Sequence, residues 1–210
     1  MLEIPTLTGA HVVLVPLSPD LAPDLLAAAN RSRSTYGLTV VPATPEQADQ
    51  YIGLALAEQA GGRAAAFVVT RAGTGEVLGS TRFLDLEYWR TDGPVDPARP
   101  SVGEIGHTWL AESAQGTAVN PEMKLLMLAH AFEGWGCYRV HLKTDARNAQ
   151  SRRGIEKLGA RFEGIRRAHI PAADGGLRDS AYYSILAAEW PEVRTGLRDR
   201  LRRATADQAK

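Results

Sequence analysis

The 210-residue chain has a single cysteine, Cys137, so it can form no disulfide within itself and no zinc cluster of cysteines. It has no excess of charge: 24 Lys and Arg stand against 24 Asp and Glu, so no net field draws it to nucleic acid or to a membrane surface. No run approaches ~18 consecutive apolar residues, and no transmembrane helix is expected. The opening MLEIPTLTGA lacks the basic region and apolar core of a signal peptide, which makes the cytoplasm the default expectation. Neither GxxxxGK[ST] nor a GxGxxG following a strand occurs, so the two common nucleotide motifs are missing. No metal site is expected either. Glu104 and His107 lie three apart on a strand-like run and should face opposite ways, and no other His, Asp and Glu have ligand spacing.

What is present is an ordinary globular composition, 44% hydrophobic and 23% charged, in a chain long enough for one domain with a sizeable core. HVVLVPL (11–17), AAFVVTR (65–71), EVLGSTRFLDLEY (76–88), VGEIGHTWLA (102–111), YRVHLKTDA (138–146), RFEGIRRAHI (161–170) and DSAYYSIL (179–186) read as strands. Helices are expected after Ser18-Pro19-Asp20 to about Asn30, from the capping sequence Thr44-Pro45-Glu46-Gln47 to Gly61, over 121–134, from Asn148 to Leu158, and over 189–203. Residues 31–43 read as a loop with a short extended piece at Leu38–Val41, and 89–100 as a Pro- and Asp-rich loop. The expected architecture is one mixed α/β domain over 1–204, with a largely antiparallel sheet and a disordered tail at 205–210.

The stretch AESAQGTAVNPEMKLL (111–126) joins a strand to a helix through small residues. Asn120-Pro121 reads as a helix start, with Asn as the cap and Pro in the first turn. The first N–H groups of a helix have no internal partner and carry the positive end of its dipole. With small side chains at 116–118, such a turn can take a phosphate or pyrophosphate on bare main-chain N–H groups.

With the helix, the strand and the Asn148-Ala149-Gln150-Ser151 turn that follow, the sequence resembles the GNAT acetyltransferase superfamily, in particular its RimJ/RimL-like N-acetyltransferases. The resemblance spans roughly residues 8–190. It is carried by EIGHTWL…QGTAVN…KLLMLAHAF and LKTDARNAQSRRGIEKLGARFEG. The family's phosphate loop, Gln/Arg-x-x-Gly-x-Gly/Ala, corresponds to Gln115-Gly116-Thr117-Ala118-Val119-Asn120. The resemblance implies acetyl-CoA as cofactor, its pyrophosphate on that loop. Its pantetheine arm would lie between strands 102–111 and 138–146, which splay apart in the family, with Leu110 and Asn148 among the contacts. Ala118 departs from the usual Gly, and Asn120 from Gly or Ala. If position 118 needs a left-handed backbone, its methyl group costs roughly 1–2 kcal/mol.

Acetyl transfer from a thioester to an amine needs a neutral amine, donors for the oxyanion and a proton for the thiolate. Ser151 matches the family's serine near the cofactor sulfur, and it also reads as a plain first-turn residue. Glu104 is a candidate base; alternation groups it with Gly106, Thr108 and Leu110, opposite Ile105, His107 and Trp109. Its other reading is an ion pair with an arginine such as Arg82. His169, near where related proteins carry a proposed base, competes with it and also reads as a surface histidine beside Arg166 and Arg167. Tyr183 is a further candidate or a buried structural tyrosine. Cys137 reads as a packed apolar residue, not an acyl carrier. The expected function is N-acetylation of a primary amine, either a protein N-terminus or a small molecule. A non-catalytic CoA-binding module is the alternative, and a homodimer through the sheet edges or final helix a further expectation. Tyr36, Tyr88 and Trp89 could line the acceptor pocket or cover core.

Overall fold

The β-branched and apolar runs form strands as read. The computed structural model describes residues 2–208, and in it the strands are Leu7–Thr8 (β1), which the sequence reading did not include, Val12–Pro16 (β2), Ala65–Arg71 (β3), Val77–Glu87 (β4), Val102–Leu110 (β5), Arg139–Asp145 (β6), Arg161–Pro171 (β7) and Leu177–Leu186 (β8). They make one eight-stranded sheet in the order β1-β2-β3-β4-β5-β6-β8-β7. Every neighbouring pair is antiparallel except β5 and β6. The helices are Ala22–Asn30 (α1), Pro45–Ala60 (α2), Val119–Ala129 (α3), Ala149–Glu156 (α4) and Trp190–Gln208 (α5).

β3 is buried along nearly its whole length because both faces of the sheet are covered. On one face Leu25, Ala28, Ile52 and Ala55 of α1 and α2 pack with Val68 and Trp109. On the other, Met123, Met127 and Leu128 of α3 and Val193 and Leu197 of α5 pack with Phe67, Phe83, Val140 and Tyr183. The start of α2 was legible. Thr44 Oγ1 accepts from the Gln47 N–H at 3.3 Å, and Gln47 Oε1 accepts from the Ala43 N–H at 2.8 Å.

Three expectations about elements are corrected. Leu38–Val41 forms no strand; the Thr39 N–H closes a turn on the Tyr36 carbonyl instead. α3 begins at Val119 rather than at Pro121, so Asn120 and Pro121 lie inside its first turn. α5 continues to Gln208, through much of the expected tail, and 209–210 lie outside the described residues.

Two irregularities position the site. His107 has φ 46°, and the β4–β5 register shifts between Ser80↔Trp109 and Arg82↔Gly106, so Thr81 faces both His107 and Thr108. This bulge breaks the alternation. Leu110 joins Ile105 in the α3-side core, and Trp109 joins the α1/α2 side, so Glu104 and Leu110 do not share a face. The second irregularity is a fork. β5 and β6 pair only through Val102↔Arg139, Gly103↔Val140 and Glu104↔His141, and beyond that point they are not partners.

Candidate active site

Glu104 is the last paired residue of β5 before the fork, and it is 2% exposed. Its Oε2 accepts a hydrogen bond from Lys143 Nζ at 2.7 Å and lies 3.3 Å from His141 Nε2. The ion pair anticipated with Arg82 is therefore made with Lys143, which alternation along β6 puts on the same face as His141. Burial works against the Lys143 ammonium, but the charge and hydrogen bond of Glu104, with Asp85, hold its pKa above the ordinary lysine value. Ligand atoms of Asp85, Glu104 and His141 all lie within 4.8 Å of one another, a grouping that linear spacing did not show. Lys143 Nζ, 2.7 Å from Glu104 and 3.4 Å from Asp85, already supplies a cation there.

His169 bonds through both ring nitrogens, Nδ1 to Ser180 Oγ at 3.0 Å and Nε2 to Tyr182 Oη at 3.2 Å. Burial, then the charge of Arg166, lowers its pKa. The Tyr182 ring stacks on His141, 6.5 Å between centroids, so His169 joins the Glu104 face through Tyr182. Tyr183 points the other way into the core. It is fully buried, accepting from Arg152 Nε and donating to Glu156 Oε1, each at 3.0 Å. That is the structural reading of Tyr183, not a group facing Glu104.

At the far end of β5, Gly116 takes φ 72°, and a side chain built on it would meet open space. Thr117, not Asn120, closes the start of α3. Its Oγ1 accepts from the Val119 N–H at 3.2 Å and donates to the Ala114 carbonyl at 2.7 Å. Ala118 has φ −65°, so the left-handed strain considered for it does not arise. Among the described residues, the N–H groups of Gly116, Thr117, Ala118 and Asn120 have no acceptor. The amide of Gln115 is spent within the protein, on Thr35 Oγ1 and the Leu110 carbonyl. That carbonyl also accepts from Tyr36 Oη at 3.2 Å, so Leu110 offers no free acceptor.

Glu122, in the first turn of α3, is a residue the sequence reading passed over. Its carboxylate accepts the N–H groups of Ala10, His11 and Val12 at 2.9, 2.6 and 2.9 Å, which ties the helix start to the β1–β2 turn. Across the fork, Asn148 Oδ1 accepts from the Ser151 N–H at 2.9 Å and caps α4, and among the described residues the Asn148 side-chain N–H groups have no acceptor. The Ser151 hydroxyl has no partner among the described residues. Tyr36 is core, Tyr88 donates to the Gly62 carbonyl at 2.6 Å, and Trp89 stacks on Tyr138. Cys137 is buried, and that burial pushes its thiol up to about 12.

The sequence pattern of the acetyltransferase (GNAT) domain family matches residues 11–161. Among solved structures, a T. thermophilus protein classed with the acetyltransferases is 31% identical, over 96% of this chain and 100% of its own, with a TM-score of 0.77. A GCN5-related N-acetyltransferase from Brucella melitensis is 26% identical over 95% and 86%, with a TM-score of 0.77. Mycobacterium smegmatis RimJ, solved in complex with CoA-disulfide, is 21% identical over 90% and 88%, with a TM-score of 0.73, a likeness of fold. No curated protein sequence matches.

Proposed function

The chain belongs to the acetyltransferase (GNAT) family, whose members use acetyl-CoA, and from that premise we propose that it acetylates a primary amine by direct attack, with Glu104 as the base. Bare N–H groups at Gly116, Thr117, Ala118 and Asn120, at the positive end of α3, fit a diphosphate. The open edges of β5 and β6 beyond Glu104, with the side-chain N–H groups of Asn148, fit an amide-bearing arm. When bound, acetyl-CoA supplies an acetyl group on a thiolate leaving group.

The protein's part is orientation and proton handling. Glu104, steadied by Lys143 and His141, takes the proton that leaves the acceptor ammonium at its carboxylate. The Ser151 hydroxyl would pass a proton to the departing thiolate and regain one from the nitrogen as the amide forms, so it ends the turnover protonated. Cys137, buried and donating to the Pro100 carbonyl at 3.2 Å, carries no acyl group. Strain at Ala118 would be a reason to expect a non-catalytic CoA-binding module, and the backbone there is relaxed. The acceptor amine belongs to a protein N-terminus or a small molecule.

The observation that carries this reading is the buried carboxylate of Glu104 at the point where β5 and β6 part. Glu104→Gln should lower kcat by about 100-fold or more, a general-base contribution, while CoA affinity measured by calorimetry holds. Undiminished turnover in that variant would remove Glu104 from the chemistry.

A further inference from the structure

Arg82 lies in the middle of β4 on the α2 face and is 3% exposed. Its guanidinium covers the Tyr51 ring, 4.6 Å from the centroid. Its nearest carboxylate, on Glu58, is 3.7 Å away, too far for a hydrogen bond, and the Glu58 side chain is 46% exposed. Among the described residues the guanidinium makes no hydrogen bond, and its Nε is buried without any acceptor. A buried Nε–H in that state is costly, and an apolar side chain would fill the same layer without the cost. A planar fork of unused N–H donors is the geometry that receives a carboxylate through two parallel bonds.

Its place decides what the carboxylate belongs to. Arg82 pairs with Gly106, two residues or about 7 Å along β5 from Glu104 on the same face. Gly106 itself puts no side chain there; a Cβ would come within 2.5 Å of Glu104 Oε1 and 2.9 Å of Leu84 Cδ2, so the Glu104 carboxylate leans toward Arg82 with Leu84 beside it. The far rim is the bulge, where Tyr51 Oη donates to the His107 carbonyl at 3.4 Å and the His107 side chain is exposed.

We propose that Arg82 is the anion receptor of the acceptor pocket, and that the acceptor is an amine bearing a carboxylate near its nucleophilic nitrogen. This rests on the reading of Glu104 as the base. Glu58 is the internal competitor that the incoming carboxylate replaces.

The test uses the full chain, acetyl-CoA and peptides with a free N-terminal amine, matched as Asp against Asn and Glu against Gln at the first two positions, with thiol release as readout. A phosphoserine peptide separates a carboxylate from any dianion. The acidic peptides should be favoured by about 10- to 100-fold in kcat/KM, the range of a charge-assisted hydrogen bond. Arg82→Met should bring that ratio close to one, and Glu58→Gln should raise it. If Arg82→Met does not fold, Arg82→Lys, which keeps the charge and loses the fork, should still cut the ratio several-fold. Equal rates on acidic and neutral peptides, a ratio that survives at Arg82→Met, or a preference for phosphoserine over aspartate would each overturn the carboxylate receptor while leaving acetyl transfer intact. Transfer to no amine at all would bring down the functional reading and the receptor with it.

Discussion

Removing the Glu122 carboxylate should loosen the proposed cofactor loop from a distance. The side chain is 7% exposed and accepts three successive main-chain N–H groups, at Ala10, His11 and Val12. The Val12 N–H is buried; those of Ala10 and His11 are nearer solvent and can recover water. Hydrogen bonds to a charged group contribute roughly 1.5–3 kcal/mol each, and a buried orphan donor costs about 1–3 kcal/mol. With one N–H left orphaned and two rehydrated, Glu122→Ala should cost about 3–5 kcal/mol. Glu122→Gln keeps an acceptor but turns N–H donors toward N–H donors, and should cost about 2–3 kcal/mol. Urea unfolding at neutral pH measures both, and the midpoint should fall with an unchanged slope. Because α3 begins three residues earlier, CoA affinity should weaken in both variants. Losses under about 0.5 kcal/mol, the range of ordinary surface substitutions, would refute the view that this carboxylate ties the helix start to the β1–β2 turn.

Ser151→Ala should slow turnover more than it weakens CoA binding; equal losses in the two would reduce Ser151 to a positioning residue. Gly116→Glu should abolish CoA binding, measured by calorimetry, through charge repulsion beside the loop N–H groups. Gly116→Ala meets no neighbour and should cost only the roughly 1–2 kcal/mol of a left-handed backbone. Lys124 donates to Thr108 Oγ1 at 2.9 Å, and burial pushes its pKa down to about 7 against the pull of Glu104. Unfolded, it titrates near about 10.4, so between about pH 7 and 10.4 the unfolded chain binds the extra proton and this group's contribution to stability rises with pH. Lys124→Met should flatten that rise, by about 1.3 kcal/mol per pH unit near pH 8.5–9; parallel pH curves for the two proteins would show the amine is not held neutral.

The parts of this fold written in local chemistry were readable from the sequence. Thr44, Pro45 and Gln47 state a helix start within four residues, and Asn148 caps α4 as a capping residue should. The turn ahead of α3 was located, but its details were misjudged. Asn120-Pro121 looked like the boundary, while the Thr117 hydroxyl takes the Val119 N–H and starts the helix two residues sooner. The bulge at His107 was invisible because a non-glycine residue adopts positive φ there, and every face assignment beyond it followed the wrong parity. Glu104 was picked out, but its partners come from a strand far along the chain. The only local trace of them is His141 and Lys143, two apart in a central strand, which marks a polar stripe. Arg82 was weighed only as a partner for Glu104, since sequence cannot tell a satisfied buried arginine from an unsatisfied one.

The short parallel contact between β5 and β6 makes the sheet two ribbons stapled at one end. Past Glu104 and His141 each ribbon presents main-chain groups that a neighbouring strand would otherwise satisfy. A slender chain of amide units sliding into that gap would stand in for the absent strand, so the enzyme charged with its donor should be the better-folded form, melting higher and exchanging its inner amide hydrogens more slowly than the bare protein.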